Sequence, residues 1–350
     1  MVLFIGFVLQ LVAQKKESKP KKYELDSNYV RIYPKYVTLS MYTLTPVMRI
    51  NISPLTDTLL KYSSYYEGNF SGSLGFGVDY KALSISYGFN VPLDTNKIAT
   101  KGKSMAYVLK AKVKMNPYIL SADYRRYIGY YDSNPRIYNK DLSDSIIFFK
   151  RPDIKYKHYG VGLIYNPRCR RYSYTAPLTY TNRQMKTNHG FMLKTNITYV
   201  KLMADSSLVS TLKKNYFPDF YGVYRLNALV AKSGGGYGLN LVIFKRAYFA
   251  FSWFLMCNYL RYHYEHIDHG RSLWRGNVNV FTEGNIAIGF NAERFYIGIR
   301  SSGDSNAMRV EGAKINITYG AIYFDLGYRF DAPKWLEKGW EKTATKYLKL

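Results

Sequence analysis

The sequence predicts an all-β protein, an antiparallel transmembrane β-barrel of about twelve strands that is followed by a short C-terminal amphipathic helix. Three observations support this fold class. Apolar and polar residues alternate with a period of two from Tyr36 to Phe330. Several alternating segments are about nine to twelve residues long, which is what a tilted strand needs to cross a bilayer. Short turns and long polar connections also separate the segments, as at the two ends of a membrane barrel.

Composition limits the fold and the chemistry before any motif is considered. The 350 residues are 47% hydrophobic and 21% charged, which is enough to fill a core and too apolar for a disordered chain. Two cysteines cannot form a disulfide scaffold or a four-thiolate metal site, and five histidines leave few ways to build a histidine-rich centre. The composition therefore disfavours a disulfide miniprotein, collagen, a coiled coil and a helical membrane bundle.

Residues 1–13 form an apolar run that predicts a signal peptide for export. A helix that spans a bilayer needs roughly 20 apolar residues, so this run is too short to be one. Ala13 is a small residue at the cleavage position, although no positive charge precedes the run, and a buried N-terminal strand or helix is the alternative. Residues 14–34 are predicted to be a basic linker. Its clustered lysines are Lys15, Lys16, Lys19, Lys21 and Lys22.

Residues 35–330 are predicted to form the barrel itself. The clearest alternation covers 74–80, 83–91, 105–115, 295–300, 315–319 and 322–330. Tight turns are predicted after Tyr80, Met115, Asn166, Phe244, Asn291 and Tyr319, and long polar loops at 53–68, 131–156, 264–276 and 301–310. The pattern does not assign the strands of 170–232, so ten or fourteen strands remain alternatives to twelve.

The same alternation would suit a secreted β-sandwich, whose apolar faces pack against each other. In a membrane barrel the apolar faces turn outward to lipid, and small polar residues line the interior. The strand lengths and the unequal connections favour the barrel. So do the aromatic residues expected at strand ends, namely Tyr80, Tyr319 and Phe330.

Residues 331–350 predict a basic C-terminal helix, with Asp331 as its N-cap and Pro333 in the first turn. Lysines recur every four residues on one side, at Lys334, Lys338, Lys342 and Lys346, while Leu336, Trp340 and Tyr347 line another. Such a helix suits the surface of an anionic membrane. The alternative is a solvated helix that packs its tryptophan side onto the barrel.

Short motifs spread along the chain resemble those of a known family. They are Asn166-Pro167, Arg171-Tyr172-Ser173-Tyr174 with Ala176, Arg183-Gln184, Gly190-Phe191, Gly234-Gly235-Gly236-Tyr237 and Gly327-Tyr328-Arg329-Phe330, together with Asp26 to Val30 and the glycine-rich segment 71–80. Over roughly residues 24–333 the chain is similar to the domain-of-unknown-function 4421 family of Bacteroidota outer-membrane β-barrels. It departs from the pattern at Pro177 and at Thr187-Asn188-His189. The resemblance implies an outer-membrane location and no catalytic residue.

The densest group of ligand-type residues runs from Arg261 to His269. His263, Glu265 and His269 would share one face of a strand, whereas His266 and Asp268 would not. No zinc-type spacing is present. The sequence therefore favours the polar mouth of a strand and loop over a metal site.

Other reactive groups predict little chemistry. Cys169 lies among arginines, a setting that can lower a thiol pKa, yet a turn cysteine without a partner is more often inert, and Cys257 lies in an apolar strand. The segment 233–238 lacks the Gly-Lys-Ser/Thr of a phosphate loop. His158 and His189 are isolated in the sequence, and no serine motif supplies a nucleophile with its base. We therefore predict no catalytic, cofactor-binding or metal-binding residues and no cofactor.

The chain is strongly basic, with 50 Lys and Arg against 24 Asp and Glu and a net charge of +26. Nucleic acid is the usual partner inferred from such a charge. Here the basic residues are spread through turns, loops and both termini, and export would separate the protein from nucleic acid. The expected partners are outer-membrane lipid phosphates, lipopolysaccharide phosphates and other envelope proteins.

The alternation also predicts which charges face the interior. The basic ones are Lys110, Lys112, Lys114, Arg125, Arg300, Lys314 and Arg329, and the acidic ones are Asp79, Asp123, Glu283 and Asp325. This modest positive excess predicts a preference for anions if the barrel conducts. The alternative is that these charges pair with one another and fill the interior.

These features favour a non-enzymatic protein in the outer membrane of a Gram-negative bacterium. It would be a scaffold, an accessory subunit of a surface or export assembly, or a narrow anion-preferring pore. Two alternatives remain open. One is a lipid- or glycan-modifying barrel enzyme, and the other is a secreted glycan-binding β-sandwich.

Overall fold

The computed structural model of the protein describes residues 23–70, 72–91, 95–134 and 148–342. The strands, numbered in chain order, are β1 (Val30–Ile32), β2 (Tyr36–Pro54), β3 (Ser64–Glu67), β4 (Ser73–Tyr80), β5 (Leu83–Asn90), β6 (Met105–Met115), β7 (Tyr118–Asp132), β8 (Phe149–Tyr165), β9 (Asn182–Gln184), β10 (Asn188–Met203), β11 (Val223–Ile243), β12 (Ala247–His266), β13 (Gly270–Arg271), β14 (Arg275–Asn291), β15 (Phe295–Val310) and β16 (Ala313–Asp331). Helical segments cover Asp57–Tyr62, Thr95–Lys101, Ala176–Thr179, Thr211–Tyr216 and Lys334–Trp340.

Twelve of these strands close into a barrel in which each strand pairs antiparallel with the next. The ring closes where β16 pairs with β2, from Asp331 opposite Tyr36 to Ala313 opposite Pro54. Four short strands are not counted in the ring: β1 and β9 form a separate pair, β13 pairs with β12, and β3 pairs with both β2 and β7 at the loop end. The predicted fold class is therefore confirmed, with twelve strands. No helix within the described residues is long and apolar enough to span a membrane.

The connections differ at the two ends of the barrel. At the turn end, which also contains the first residue of β2 and the last of β16, tight turns follow Tyr80, Met115, Ile243 and Asn291. The predicted turn at Asn166 is wrong, because 166–187 is a long segment that folds into the barrel mouth. The turn at Tyr319 and the loop at 301–310 are also wrong. Both lie within the long strands β15 and β16, which a tight turn at 311–312 joins at the opposite, loop end.

The half of the barrel next to the turn end, here called the lipid half, is apolar outside. In β16 the outward side chains of Ile322, Phe324 and Leu326 are 59%, 46% and 44% exposed. Exposed outward residues on the other strands include Leu39, Met41, Phe76, Val78, Ile85, Leu163, Phe191, Leu193, Phe251, Trp253, Leu255, Ile286, Ile288, Ile297 and Ile299. A continuous band of this kind is what a barrel presents to lipid.

The half next to the loop end, here called the loop half, has the opposite polarity. Its inward side chains form an apolar core that includes Met48, Ile50, Leu202, Ile315 and Ile317. Outward positions on the same stretch of β16 are polar, at Lys314, Asn316 and Thr318. Tyr319 is therefore not at a strand end, as predicted, but inside the barrel and buried.

A cap of residues 204–222 closes the loop end over this core. Leu208, Phe217 and Phe220 are buried in the cap, and the Tyr66 hydroxyl donates a hydrogen bond to the Leu208 carbonyl at 2.7 Å. The cap is also fastened by an ion pair between Lys213 and Asp132, whose side chains are both fully buried, with 2.6 Å between Nζ and Oδ2. Burial lowers the pKa of Lys213, and the Asp132 carboxylate opposes that shift.

A plug of residues 166–187 closes the turn end. Its strand β9 pairs with β1, so that part of the predicted linker 14–34 is an ordered strand against the plug. Hydrogen bonds of the Gln184 side chain stabilise the plug. It accepts from the Ser173 amide at 2.9 Å and donates to the Arg171 carbonyl at 2.6 Å. Asn240 of the barrel wall donates to the Ser173 carbonyl at 2.8 Å. The plug is therefore bonded to the wall.

The C-terminal helix begins at Lys334 with Pro333 as its N-cap. Asp331, the expected cap, is instead the last residue of β16 and pairs with Arg294 at 3.1 Å. The Trp340 ring packs edge-on against Tyr80 at 5.4 Å, whereas Trp335 is 72% exposed. The predicted signal peptide 1–13, the lysine cluster and the residues after 342 lie outside the described residues.

Candidate functional site

The candidate site is a chamber inside the lipid half of the barrel, between the plug and the apolar core of the loop half. It contains one cavity of about 180 Å³ and a second of about 70 Å³. Four residues line both cavities: Lys110, Lys112, Leu178 and Arg300. Three of them are cations and the fourth belongs to the plug. The two cavities therefore adjoin at a basic wall.

Six of the seven basic residues predicted to face the interior do so. Lys110, Lys112 and Lys114 occupy inward positions of β6, and Arg125, Arg300 and Arg329 face inward from β7, β15 and β16. Lys314 is an error, because its side chain is exposed on the outer wall of β16. The interior assignment of Lys314 required Ile315 to face lipid, and Ile315 is instead fully buried in the loop-half core.

Arg125 is the centre of a buried charge network. Its guanidinium lies 2.8 Å from Asp123 and 3.4 Å from Asp304, over the face of Tyr319 at 4.2 Å. The imidazole of His158 lies 3.0 Å from the same Asp123 carboxylate. The two acidic groups neutralise Arg125, so this residue has little capacity left for a free anion.

A second network includes Arg300, Asp325 and Tyr323. The Arg300 guanidinium donates two hydrogen bonds to Asp325, at 2.7 and 3.0 Å, in the bidentate geometry that holds such a pair firmly. It also stacks over the Tyr323 ring at 4.0 Å. Lys110 donates to the Tyr323 hydroxyl at 2.9 Å. Each group here is held in place by another.

The sequence did not predict a third network, in which Lys194 and Lys232 both face Glu283. Lys194 contacts Glu283 directly, and Lys232 lies 3.7 Å from it. These lysines lie on β10 and β11, in the region 170–232 whose strands the pattern left unassigned. The alternation of Phe191, Leu193 and Ile197 on the outer wall is the signal that places Lys194 inside.

Like Lys110, Lys112 has no carboxylate of the described chain within ion-pair distance, and unlike Lys110 it does not donate to the Tyr323 hydroxyl. It lines both cavities. Lys114, which also has no such partner in the described part, lies nearer the turn end and lines a groove of about 390 Å³ beside Tyr33 and Trp340. Lys112, with Lys110 beside it on β6, is therefore the interior cation best placed to meet an anion.

Arg329 fastens the plug rather than facing the cavity. Its guanidinium donates to the carbonyls of Ala292 and Tyr180 at 2.7 and 2.8 Å and to the Asn291 side chain at 2.8 Å. The Tyr33 ring lies over it at 4.0 Å. This residue of the last strand thus joins the plug, a turn and the N-terminal segment.

The polar group at 261–269 divides between two sides of the wall. His263 lies outside, against Trp274 at 4.5 Å and Arg271 at 3.3 Å. His266 faces inward and stacks on His269 at 4.5 Å. Glu265 pairs with Arg225 at 2.8 Å. In the part of the chain that the structure describes, no three His, Cys, Asp or Glu side chains are placed to hold a metal ion.

The two cysteines lie in different surroundings, and Cys169 is not activated by its own. Cys169 is buried in the plug, and burial raises the pKa of its thiol in spite of the nearby Lys114. Burial therefore outweighs the opposite effect of Arg170 in the arginine-rich sequence around Cys169, and the thiol pKa is raised. Cys257 is exposed on the outer wall of β12, in the apolar strand where it was expected.

His158 and Asp123 form the pair most like a piece of catalytic machinery. The sequence treated His158 as isolated, because Asp123 lies on the neighbouring strand β7. The other ring nitrogen of His158 faces the Tyr156 hydroxyl at 3.5 Å. No serine hydroxyl or cysteine thiol of the described residues is hydrogen-bonded to this imidazole. The pair therefore lacks the nucleophile that triad chemistry requires.

A known protein family matches most of this chain. The family described as a domain of unknown function, DUF4421, matches residues 24–330. The chain belongs to the DUF4421 family. The motifs that carried the resemblance, from Asn166 to Gln184, form the plug of this DUF4421 barrel. Among curated proteins, none matches the chain.

Solved structures with a similar shape include three outer-membrane proteins. The outer membrane protease OmpT from Escherichia coli is 8% identical, with 85% of this chain and 98% of that chain covered and a TM-score of 0.38. An outer membrane channel from Pseudomonas putida F1 is 8% identical over 90% and 100% of the two chains, with a TM-score of 0.33. The Pseudomonas putida toluene transporter TodX is 9% identical over 86% and 91%, with a TM-score of 0.27. At these values the likenesses support no inference about activity.

Proposed function

We propose that this DUF4421 barrel is a non-enzymatic protein of a Gram-negative outer membrane, a scaffold or accessory subunit whose lumen is held shut. The observation that carries the proposal is the closure of the chamber at both ends. The plug closes the turn end, and the cap with the apolar core closes the loop end. In an even-stranded barrel the first strand begins and the last strand ends on the periplasmic side, so the turn end with its plug faces the periplasm.

The charges inside the barrel support a structural role for the interior. Most of the interior cations are tied to a carboxylate or a tyrosine, as Arg125, Arg300 and Lys194 are. A pore that conducts needs groups that bind an ion weakly enough to release it. The partners expected for such a scaffold are other envelope proteins, at the periplasmic face where Trp335 is exposed.

A second candidate function, a narrow anion-preferring pore, is favoured by Lys112 and Lys110. Lys112 has no carboxylate partner in the described chain, and it lies beside Lys110 at the wall that both cavities share. This pore would open only when the plug moves. The predicted signal peptide belongs to the same proposal, because export is what brings a barrel to the outer membrane. A Bacteroidota source, which the family resemblance implies, is part of it too.

Conductance with a matched pair of glycine variants tests the two functions. A Cβ added at Gly238 would overlap the hydroxyl of Tyr172 in the plug, whereas one at Gly235 would lie 3.9 Å from the nearest atom, Leu193 Cδ2. We expect wild-type protein and Gly235→Ala to show no steady conductance in planar bilayers. Gly238→Ala, which forces Tyr172 aside, should open intermittently, because overpacking of this kind costs about 1–3 kcal/mol.

The outcomes separate the candidates. Steady open channels in the wild-type protein would overturn the closed scaffold. If only Gly238→Ala conducts, with a reversal potential on the anion side, the gated pore is supported, and cation selectivity would reject it. The enzyme alternative is tested by incubating the protein with labelled phospholipid and lipopolysaccharide. A product that the wild-type protein forms and His158→Gln does not would contradict the non-enzymatic assignment.

A further inference from the structure

Two rows of outward side chains cross three neighbouring strands on one side of the barrel. The tyrosine row is Tyr124, Tyr159 and Tyr199, on β7, β8 and β10, and its members lie directly opposite one another in the strand register. The basic row is Arg126, Lys157 and Lys201, in the same register on the same strands, one outward position closer to the loop end. The rows are therefore about 7 Å apart along the strands.

The basic row places three like charges side by side. Neighbouring members lie on adjacent strands, where side chains directly opposite each other are about 4.5–5.5 Å apart at Cβ and like charges destabilise the sheet. Other outer-wall cations close by have carboxylate partners, as Lys155 has Asp205 at 3.4 Å and Arg225 has Glu265 at 2.8 Å. No carboxylate of the described chain pairs with Arg126, Lys157 or Lys201.

Within the described chain a donor of the basic row is unpaired, and ring contacts join the two rows. The buried Nε of Arg126 has no hydrogen-bond partner among the described residues. The ammonium of Lys201 lies over the Tyr199 ring at 5.3 Å, and the Tyr124 and Tyr159 rings contact each other at 5.1 Å. Tyr199 thereby holds the ammonium of Lys201 beside the tyrosine row.

The depth of the two rows identifies the occupant. On the turn-end side of the tyrosine row most outward residues are apolar, including Leu163 and Ile197, which are 40% and 55% exposed. A row of aromatic rings at the edge of such a band lies at the membrane interface. The basic row, one position farther out, lies at the depth of lipid headgroups, where basic side chains attract anionic lipid.

We propose that the basic row binds the phosphate groups of an outer-leaflet glycolipid. A phosphate carries up to two negative charges and takes the planar fork of Arg126 together with point charges such as Lys157 and Lys201. The acyl chains of the same lipid would lie along Leu163 and Ile197, and its sugars beside the tyrosine row. The inference rests on the proposed outer-membrane location, because such lipids occupy only that membrane's outer leaflet.

The test uses full-length protein folded in detergent micelles and two probes, lipid A and lipid A stripped of its phosphates. Lys157→Gln/Lys201→Gln removes two charges from the basic row. Arg309→Gln/Lys314→Gln is the matched control, since these residues also lie opposite each other on the outer wall but far from the tyrosine row. Native mass spectrometry measures lipid binding, and a heat-dependent gel shift confirms that each variant has folded.

We expect the wild-type protein to prefer phosphorylated lipid A. Lys157→Gln/Lys201→Gln should bind it about fivefold more weakly for each charge removed, about 25-fold in total, and the control should bind like the wild type. Rising salt should weaken binding in the wild-type protein more than in this variant. Equal affinity for the two lipids, or equal loss in the two double variants, would overturn the site. A protein that shows no heat shift and stays soluble without detergent would instead refute the outer-membrane proposal itself.

Discussion

The lipid half and the loop half of this barrel have opposite polarity, although most strands run through both. The exceptions are β4 and β5, which end in the lipid half, and β3, which pairs with β2 and β7 in the loop half. In the lipid half the outer wall is apolar and the interior contains ion pairs and two cavities. In the loop half the outer wall of β16 is polar, and the interior is an apolar core that includes Ile50 and Ile317. The solvent outside each half explains the difference, since lipid surrounds one and water the other. The same alternation of apolar and polar residues can therefore place the apolar side chains outside, as in the lipid half, or inside, as in the loop half.

The strand β16 shows how a chain changes from one arrangement to the other. Its apolar side chains occupy odd positions at Ile315 and Ile317 and even positions from Ile322 to Phe330. The strand itself keeps a regular register with β2 throughout. The apolar set changes sides around Gly320 and Ala321 without any turn. A one-residue shift in a hydrophobic pattern can thus indicate the edge of a bilayer.

The largest expected effect on the free energy of unfolding comes from breaking the fully buried ion pair in the cap, compared with an ion pair beside a cavity. Lys213→Met leaves Asp132 buried without its cation in the loop half, and we expect it to lower the free energy of unfolding by about 3–5 kcal/mol. Arg300→Met exposes Asp325 to a cavity of about 70 Å³ that can admit water, so its loss should be smaller. Urea unfolding of protein refolded in detergent, followed by tryptophan fluorescence, gives both values. Equal losses would mean that the two interiors are equally dry.

The next effect compares two isoleucines of the same strand. Ile317→Ala removes a side chain that is 2% exposed in the loop-half core, and the cavity left behind should cost about 2–5 kcal/mol. Ile322→Ala, on the lipid side, should cost about 1 kcal/mol or less, because lipid fills the space. The same unfolding titration measures both. A larger loss at Ile322 than at Ile317 would contradict the inside-out arrangement.

The smallest of the three effects concerns charge on the outer wall. Leu255→Arg places a cation in the middle of the apolar band and should cost about 2–4 kcal/mol in lipid vesicles. Ala307→Arg makes the same change on the outer wall of the loop half, where the expected cost is within about 0.5 kcal/mol. The yield of heat-shifted protein after refolding, with unfolding titrations of the folded fraction, checks the pair. Similar costs would show that lipid also surrounds the loop half.

The sequence was sufficient for much of the fold because strand alternation is local. It predicted the barrel, the turn after Tyr80 and the inward face of β6 with Lys110 and Lys112. It failed at 301–310, where Ser305 and Arg309 resemble a loop because they face outward in the loop half, opposite Thr318 and Lys314. Nothing in the spacing of these residues shows that a wall has left the membrane.

The candidate site was less predictable because its contacts join distant segments. His158 meets Asp123 across a strand pair, and Lys194 meets Glu283 from residues 89 apart in the chain. Periodicity could not predict the plug, because apolar and polar residues do not alternate regularly in 166–187. Its motif around Tyr172 was nevertheless noticed through the family resemblance.

The contacts of Arg329 bear on the order in which the protein is assembled. The residue lies in the last strand, the Tyr180 carbonyl that it binds lies mid-chain, and the Tyr33 ring above it precedes the first barrel strand. Beginning, middle and end of the polypeptide therefore converge on one guanidinium. The plug reaches its full set of bonds only after the final strand has joined the first. The contacts of Arg329 therefore form only in a barrel whose ring of strands is complete.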